Sequence, residues 1–401
     1  MTREVRSIGA DPVVGQSLVA YLAIGLGLGI LLVGRFTYDD RLAIAGIPVN
    51  AVLITAGVIV AALLPCLPGT RRVQIVAIAP ISVLGITLCW SPDISAGLVK
   101  YSNLIVSAVT SATLIAAAVQ RLGDKSVARM LILLLAILLC ATIVYKARAG
   151  FLDRQVLFLF NGPIVFARLM GVGAICAVFV LRGAARNLAV LAFGLAVLWT
   201  GSKGPLFALL IAFVTTGIRI RSGKFWIAAS LAIALSLVAV VLAGDTIRHF
   251  APIARIWAGT ETLASVTSGG MDSVGSRMFL AARTVELIAS HPWGVGLGGW
   301  SSALGIEWAT YPHNIELELW AEGGVLIGTV ALLGFYLPLA RSVDVWWGTA
   351  FFLCVAQQVS GDLLDARYWL AIGLVGLMVV RTPELPRGNW LRRAVLSKLA
   401  P

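Results

Sequence analysis

The sequence predicts an all-α polytopic membrane protein that forms a single transmembrane domain over residues 1–401. Hydrophobic residues make up 59% of the chain and charged residues only 12%, whereas about a quarter of the residues of a typical soluble domain are charged. The mean hydropathy of +0.94 indicates the same class. Apolar runs of roughly 20 residues, the length that spans a bilayer core of about 30 Å, recur along the whole chain.

About twelve such runs can be placed, with both chain termini on one side of the membrane. The predicted spans are 17–34, 44–64, 73–90, 102–119, 130–146, 164–181, 187–200, 205–218, 225–243, 315–340, 345–361 and 368–380. Lys and Arg outnumber acids at both termini, including a basic tail at 381–401, and in the even-numbered loops, so the positive-inside rule makes that side cytoplasmic. The formal net charge of +12 therefore marks topology and contact with membrane lipid rather than a nucleic-acid partner.

Segment 244–314, inserted between the ninth and tenth predicted spans, is the longest stretch too polar for lipid, and it faces outward. It contains the three histidines of the chain, His249, His291 and His313. We predict a helix over about residues 273–290 that stops at His291-Pro292, because proline cannot continue a helix. A second helix begins after Asn314, a favourable N-cap residue, and runs on into the tenth span.

His313 is the main candidate for acid–base chemistry. It lies where the polar segment turns into a membrane helix, and an imidazole with an ordinary pKa near ~6.5 suits proton transfer at neutral pH. The alternative is a residue that only caps or anchors the helix at the membrane surface. Residue type and position leave both interpretations open.

Outward-facing basic residues are not needed to set the topology, so they are candidates for binding an anionic substrate. Lys203 lies in the interrupted turn TGSKGP, and Arg277 lies near the start of the predicted loop helix. The other candidates are Arg148, Arg154, Arg168 and Arg367. Because arginine binds phosphate groups bidentately, such residues suit a phosphate or pyrophosphate site. The alternative is pairing with neighbouring acids, namely Asp153, Asp362 and Asp365.

Other polar signals are weaker. Three acids begin the tenth span and are interpreted most simply as solvated, with orientation of His313 or of a cation as the alternative: Glu316, Glu318 and Glu322. The glycine-rich segment GVGLGG at 294–299 follows a helix rather than a strand, which indicates a tight turn and not a phosphate loop. The histidines lack metal-ligand spacing and the cysteines form no paired motif, so we predict neither a metal nor another cofactor.

The order of these features resembles the O-antigen ligase family, which also includes O-antigen polymerases. The matching residues are Ser202-Lys203-Gly204, Arg277, His291 to Gly298, His313-Asn314, Trp320 to Gly324 and Asp362 to Arg367. The resemblance covers mainly residues 200–370 and has two departures. Lys203 stands where the family usually has Arg, and Ile327 stands where a small or polar residue is usual, with Gly328 one position later.

The resemblance implies a GT-C-like membrane glycosyltransferase of lipopolysaccharide biosynthesis in the bacterial inner membrane. Segment 244–314 would then be a periplasmic loop containing short helices, and the active site would face the periplasm. The implied donor is a glycan on undecaprenyl pyrophosphate, and the implied acceptor is a sugar hydroxyl of lipid A-core. Such a transfer is expected to invert the configuration and to need no metal.

The resemblance also assigns roles to residues. His313 would be the catalytic base, and Arg277 and Lys203 would bind the pyrophosphate. Arg148 and Arg154 are weaker candidates for the same role. The supporting residues would be Asn314, Asp365 and Glu322.

Two alternatives stay open at this point. An O-antigen polymerase would share these motifs and use a second lipid-linked glycan as acceptor; the modest chain length and the single substantial loop favour the ligase. A lipid-linked glycan transporter would instead carry charged residues throughout its spans and show an internal repeat. The charges of this chain concentrate at the outward ends of the spans, which favours the enzyme.

Overall fold

The computed structural model describes residues 12–33, 43–44, 47–63, 70–153, 156–159, 162–220, 273–306, 308–358, 361 and 363–378. Several predictions fall outside these residues, namely the span 225–243, the segment 244–272, the tail 381–401, His249, Arg154 and Asp362. The other predicted spans fall on helical segments, although the span 315–340 is divided into two parts. The all-α class is therefore confirmed for the described part of the chain.

The helices of the first half are α1 Pro12–Val33, α2 Val49–Leu63, α3 Thr70–Gly85, α4 Ile94–Asn103, α5 Thr110–Leu122, α6 Asp124–Ala149, α7 Pro163–Val180, α8 Gly183–Trp199 and α9 Lys203–Ile220. A 3-10 turn, Ile86–Trp90, extends α3, and a π-helical stretch, Leu104–Val109, joins α4 to α5. Between α1 and α2, Ala43–Ile44 pairs antiparallel with Ile47–Pro48.

The helices of the second half are α10 Ser273–Ser290, α11 Trp300–Leu304, α12 Ile315–Arg341, α13 Asp344–Gln357 and α14 Ala366–Met378. A 3-10 turn, Leu363–Asp365, leads into α14. The predicted loop helix over residues 273–290 is confirmed, and it ends directly before His291-Pro292 as expected.

Helix α5 lies at the centre of the bundle, in contact with α1, α2, α3, α6 and α14. Its residues from Thr110 to Val119 are buried. Small side chains such as those of Ala116 and Ala118 allow helices to approach closely inside a membrane bundle, where packing rather than the hydrophobic effect holds helices together. Helix α5 is therefore closely surrounded by the other helices of the bundle.

Five helical stretches of the described chain are long and apolar enough to cross a membrane, by length and composition alone. They are Val73–Trp90, Ile94–Leu122, Asp124–Ala149, Pro163–Val180 and Ile315–Arg341. Even without the last of them, which reverses direction at Gly324, these stretches indicate a multi-pass membrane protein.

The last of these stretches, α12, is folded back on itself at Gly324, where φ is 71° and ψ is 172°. Trp320 Nε1 donates to Thr329 Oγ1 across the fold at 3.1 Å, and Tyr336 donates to Glu316. In a straight helix residues 316 and 336 would be about 30 Å apart, so the two parts must run antiparallel. We call them α12a, residues 315–323, and α12b, residues 325–341.

This reversal corrects the prediction of one helix that runs from Asn314 through the tenth span. Its physical cause is the pair Gly323-Gly324, because the backbone angles of Gly324 lie in a region that is essentially restricted to glycine. The reversal also explains why the small residue of the family pattern is found at Gly328, one position after Ile327. A Cβ atom at Gly328 would approach the carbonyl oxygen of Leu319 to 2.5 Å, so the returning helix requires glycine there.

The GVGLGG segment holds this reversal in place. Val295 N and Gly296 N donate to the carbonyl oxygens of Ala321 and Glu322, each at 2.9 Å. On its other side, Leu297 N donates to Thr87 Oγ1 at 3.1 Å. The prediction of a tight turn rather than a phosphate loop is thus confirmed, and the turn connects α12a to the 3-10 turn after α3.

Candidate functional site

His313 lies at the start of α12a, in a strained backbone conformation. Its φ of 62° lies in the left-handed region, which is uncommon for residues other than glycine and occurs often at functional sites. The imidazole ring contacts the Tyr311 ring, with 4.4 Å between centroids. Within the described part of the chain, the buried Nδ1 atom of His313 has no hydrogen-bond partner. The ring is therefore held in place while one nitrogen is not engaged.

The pKa of His313 is lowered from its ordinary value, first by burial and second by the positive charge of Arg277. Burial disfavours the charged imidazolium, and a nearby cation disfavours it further. The structure thus brings two predicted site residues, His313 and Arg277, within electrostatic reach of each other. At neutral pH the imidazole is uncharged and able to accept a proton.

A chain of hydrogen bonds fixes the beginning of α12a beside His313. The predicted N-cap is confirmed, since the Asn314 side chain accepts a hydrogen bond from Leu317 N at 2.9 Å. Asn314 Nδ2 also donates to the carbonyl oxygen of Gln358 at 3.2 Å, and Gln358 Nε2 donates to the Tyr336 hydroxyl at 3.2 Å. Because Tyr336 in turn donates to Glu316, α12a, α12b and the end of α13 are connected at the level of His313.

The interpretation of the acids of α12a as solvated is wrong for Glu318 and Glu322. Both side chains are fully buried, and both accept hydrogen bonds from Lys100 Nζ, at 2.5 and 2.6 Å. We call these three residues the acidic cluster. The alternative, that the acids orient a cation, holds, but the sequence analysis missed Lys100 because it lies far earlier in the chain, on α4.

A second group of charges, the basic cluster, consists of Arg168, Asp365 and Arg367. Asp365 Oδ2 accepts a hydrogen bond from Arg168 Nη1 at 2.6 Å, and its other oxygen lies 3.8 Å from Arg367 Nη1. Arg367 Nη2 also donates to the Tyr368 hydroxyl at 2.9 Å. Pairing with acids, the alternative considered for Arg367, is therefore observed, and Asp365 orients both arginines.

Lys203 is the first residue of α9 and is half-buried. The predicted break between the seventh and eighth spans is confirmed, since α8 ends at Trp199 and Gly201 has a positive φ of 61°. In the part of the chain that the structure describes, the buried Oγ atom of Ser202 has no hydrogen-bond partner. The turn therefore places a half-buried cation beside a hydroxyl that is not engaged.

Arg148 is exposed near the end of α6 and lines a groove of about 940 Å³ formed by residues of α6 alone. The structure does not bring it to His313. The buried cation at this end of α6 is Lys146, whose ammonium donates to the carbonyl oxygens of Asp153 and Val156. Lys146 also lies 4.6 Å from the centroid of the Phe158 ring. Sequence reasoning could not separate Lys146 from Arg148, because the two positions differ only in the helix face they occupy.

A second cavity, of about 320 Å³, lies beside the reversal of α12. Trp90, Trp293 and Leu326 are among the residues that line it. Within the described ranges, His313, Arg277 and Lys203 line neither this cavity nor the groove on α6. Trp293 and Trp308 are largely exposed, whereas Trp300 is buried and donates to Thr284 Oγ1 at 2.9 Å.

Comparison with known proteins gives one family. The family model described as O-antigen ligase matches residues 188–333, a range that contains Lys203, Arg277 and His313. No curated protein matches the chain. The match indicates a membrane glycosyltransferase-like function of the O-antigen ligase or polymerase type, with lipid-linked glycan as the general class of partner.

Proposed function

Because residues 188–333 match the family model described as O-antigen ligase, we propose that the chain transfers a glycan from undecaprenyl pyrophosphate to a sugar hydroxyl of lipid A-core. The observation that carries the proposal is the geometry of His313. Its backbone is strained, its buried Nδ1 has no partner among the described residues, and the charge of Arg277 acts on it. A neutral imidazole in this state is suited to accept a proton from an incoming alcohol.

In the proposed reaction, the acceptor hydroxyl attacks the anomeric carbon of the donor glycan. A new glycosidic C–O bond forms while the bond from that carbon to the pyrophosphate oxygen breaks, and the electron pair leaves with the pyrophosphate. His313 takes the proton of the hydroxyl. In-line attack from the opposite face inverts the configuration at the anomeric carbon.

The departing pyrophosphate gains negative charge, which fixed cations stabilise without reorganisation. We assign this role to Arg277 and Lys203, with Arg148 and Arg154 as weaker candidates. Arg154 lies outside the described residues, and Arg148 lies on an exposed groove. Because side-chain cations would stabilise the negative charge of the departing pyrophosphate, we propose that the reaction needs no metal. Transfer in excess EDTA at the untreated rate would support this, and restoration only by a divalent cation would contradict it.

In this proposal the protein lies in the bacterial inner membrane as a GT-C-like bundle of about twelve spans. The thickness of the bilayer core sets the length of each span. His313 would face the periplasm, where lipid-linked glycan and lipid A-core meet. Labelling of single cysteines from outside the membrane tests this orientation. A cysteine at Trp308, which is 60% exposed next to the site, should react with an impermeant reagent, whereas one at exposed Lys125 should not.

Deletion of the gene tests the function and separates ligase from polymerase. A ligase deletion leaves lipid A-core without glycan while lipid-linked polymer accumulates, whereas a polymerase deletion leaves core that carries one repeat unit. Complementation with the wild type should restore the polysaccharide ladder on gels, and His313→Asn should not. An unchanged ladder after deletion would contradict the proposal.

A further inference from the structure

Helix α12a is too short to hold its own position. It has nine residues, and isolated helices shorter than about 12 residues are marginal in water even with favourable sequences. Its two buried acids, Glu318 and Glu322, are four residues apart and therefore lie on the same face. Both carboxylates contact the same ammonium group, that of Lys100 on α4. Lys100 therefore joins both buried acids of α12a to α4, in addition to the backbone bonds from the GVGLGG segment.

The contact of Lys100 with Glu318 and Glu322 is buried, so breaking it would be costly. The Lys100 side chain is 12% exposed, and both glutamate side chains are 0% exposed. A buried charge is tolerated only when it is paired and hydrogen-bonded, and a shift of α12a along α4 would break the pairing of both glutamates with Lys100. Lys100 has three N–H donors, which allows it to hold both carboxylates at once.

The same contact extends to the basic cluster. Glu318 binds Lys100 through Oε1, and its other oxygen, Oε2, accepts a hydrogen bond from Leu363 N at 2.8 Å. Leu363 begins the 3-10 turn that ends at Asp365, which holds Arg168. One carboxylate therefore connects Lys100 to α12a, the helix that follows His313, and to the turn that orients the arginines.

We propose that Lys100 is a positioning residue for glycan transfer, which sets His313 and the Asp365 turn in register through Glu318 and Glu322. The proposal rests on the proposed function of His313. In this proposal Lys100 acts through α12a, by its contacts with Glu318 and Glu322, and not on the substrate itself. Its loss should therefore slow the chemical step more than it weakens substrate binding.

The first test is the kinetics of purified Lys100→Met. A displacement of about 1 Å at the reacting groups costs roughly 100-fold in rate, so we expect kcat to fall by about that factor while the KM values for donor and acceptor change less than about threefold. Lys125→Met, which removes an exposed lysine at the start of α6, is the matched control and should keep the wild-type rate. A folded Lys100→Met protein with wild-type kcat would overturn the proposal.

Lys100→Met leaves two buried carboxylates without their cation, so it can fail to fold. The triple variant Lys100→Met, Glu318→Gln, Glu322→Gln removes all three charges and keeps the side-chain sizes similar. We expect it to recover stability but not the lost rate, because the three-way hydrogen bond is absent. Recovery of both stability and rate would show that Lys100 only balances charge, and this would overturn the proposal.

A spectroscopic measurement tests the geometry without relying on activity. The chain has three histidines, so isotope-labelled histidine gives few NMR signals. We expect the triple variant to move the His313 signal while the signal of His291, at the end of α10, stays in place. An unmoved His313 signal would overturn the proposal. Absence of glycan transfer by the wild type would instead contradict the proposed function, and the NMR result would still decide the position of α12a.

Discussion

The two charged clusters are built from the same kinds of contact but have opposite charge balance. The acidic cluster has one cation and two acids, Lys100 with Glu318 and Glu322. The basic cluster has two cations and one acid, Arg168 and Arg367 with Asp365. Removal of one acid from the acidic cluster leaves Lys100 with one acid, whereas removal of Asp365 leaves two arginines, which keep their charge in a protein. We therefore expect loss of Asp365 from the basic cluster to cost more than loss of either glutamate from the acidic cluster.

Among substitutions of single acids in the two clusters, Asp365→Asn should have the largest effect on stability. It leaves Arg168 and Arg367, both almost fully buried, beside a neutral amide. Loss of one partner from a buried ion pair costs about 3–5 kcal/mol in the free energy of unfolding. Thermal unfolding in detergent, followed by tryptophan fluorescence, measures this loss. A wild-type midpoint for Asp365→Asn would remove the distinction between the clusters.

The reversal that directs Glu318 and Glu322 toward Lys100 should be the next most sensitive feature. A Cβ atom at Gly324 would overlap the backbone of Trp293, in addition to the strain of a φ of 71°. We expect Gly324→Ala to cost about 3 kcal/mol in unfolding free energy.

Gly123 provides the matched control for this prediction. It has a similar conformation, with φ of 82° and ψ of 154°, but no atom lies within 4 Å of the position that a Cβ atom would occupy there. Gly123→Ala should therefore show only the backbone strain, about 1–2 kcal/mol. Equal losses for the two variants in the same unfolding measurement would show that the packing at Gly324 contributes nothing.

Glu322→Gln should have the smallest effect on stability. Its buried Oε2 atom has no partner in the described part of the chain, and Lys100 keeps Glu318 after the change. Replacement of a surplus buried carboxylate by a neutral group of similar shape should change the unfolding free energy by less than about 1 kcal/mol. A loss as large as that of Asp365→Asn, measured by the same unfolding midpoint, would show that both carboxylates are needed as anions.

The pH dependence of transfer gives a smaller, kinetic effect. Burial and Arg277 lower the pKa of His313, so the base should stay active at pH 7 and lose activity only below about pH 6.5. Arg277→Met removes the positive charge that helps to lower the pKa of His313. The acid limb of the pH–rate profile should therefore move to higher pH, toward about 6.5. Rates measured across the acid range check this shift, whatever the absolute rate of the variant. A limb that stays in place or moves to lower pH would contradict the electrostatic link between Arg277 and His313.

The sequence was sufficient for features that depend on neighbouring residues. Apolar runs of membrane length placed the helices, and the stop at His291-Pro292 and the cap at Asn314 followed from local backbone chemistry. The sequence was insufficient where a side chain contacts a residue that is distant in the chain. Glu318 and Glu322 show the spacing of a single helix face, but nothing local indicates that Lys100 covers that face. Gly323-Gly324 was a visible signal for the reversal, since paired glycines interrupt helices.

The choice among predicted cations depended on burial, which the sequence did not show. Lys146 and Arg148 are two positions apart, and a rotation of about 100° per residue places one inside the bundle and the other on an exposed groove. Arg277 could be connected to His313 only through the fold, because Arg277 lies on α10 and His313 lies in the separate segment that precedes α12a. Lys203 keeps its predicted role as a proposal.

The central claim is that His313 activates the acceptor hydroxyl. The most direct measurement is release of pyrophosphate-linked lipid by purified protein given lipid-linked glycan and lipid A-core, comparing His313→Asn with His291→Asn. Asparagine tolerates the left-handed backbone of residue 313, so the first variant removes the base with little added strain. The account predicts a rate loss of at least about 100-fold for His313→Asn and nearly full activity for His291→Asn. Near wild-type transfer by a folded His313→Asn protein would contradict it.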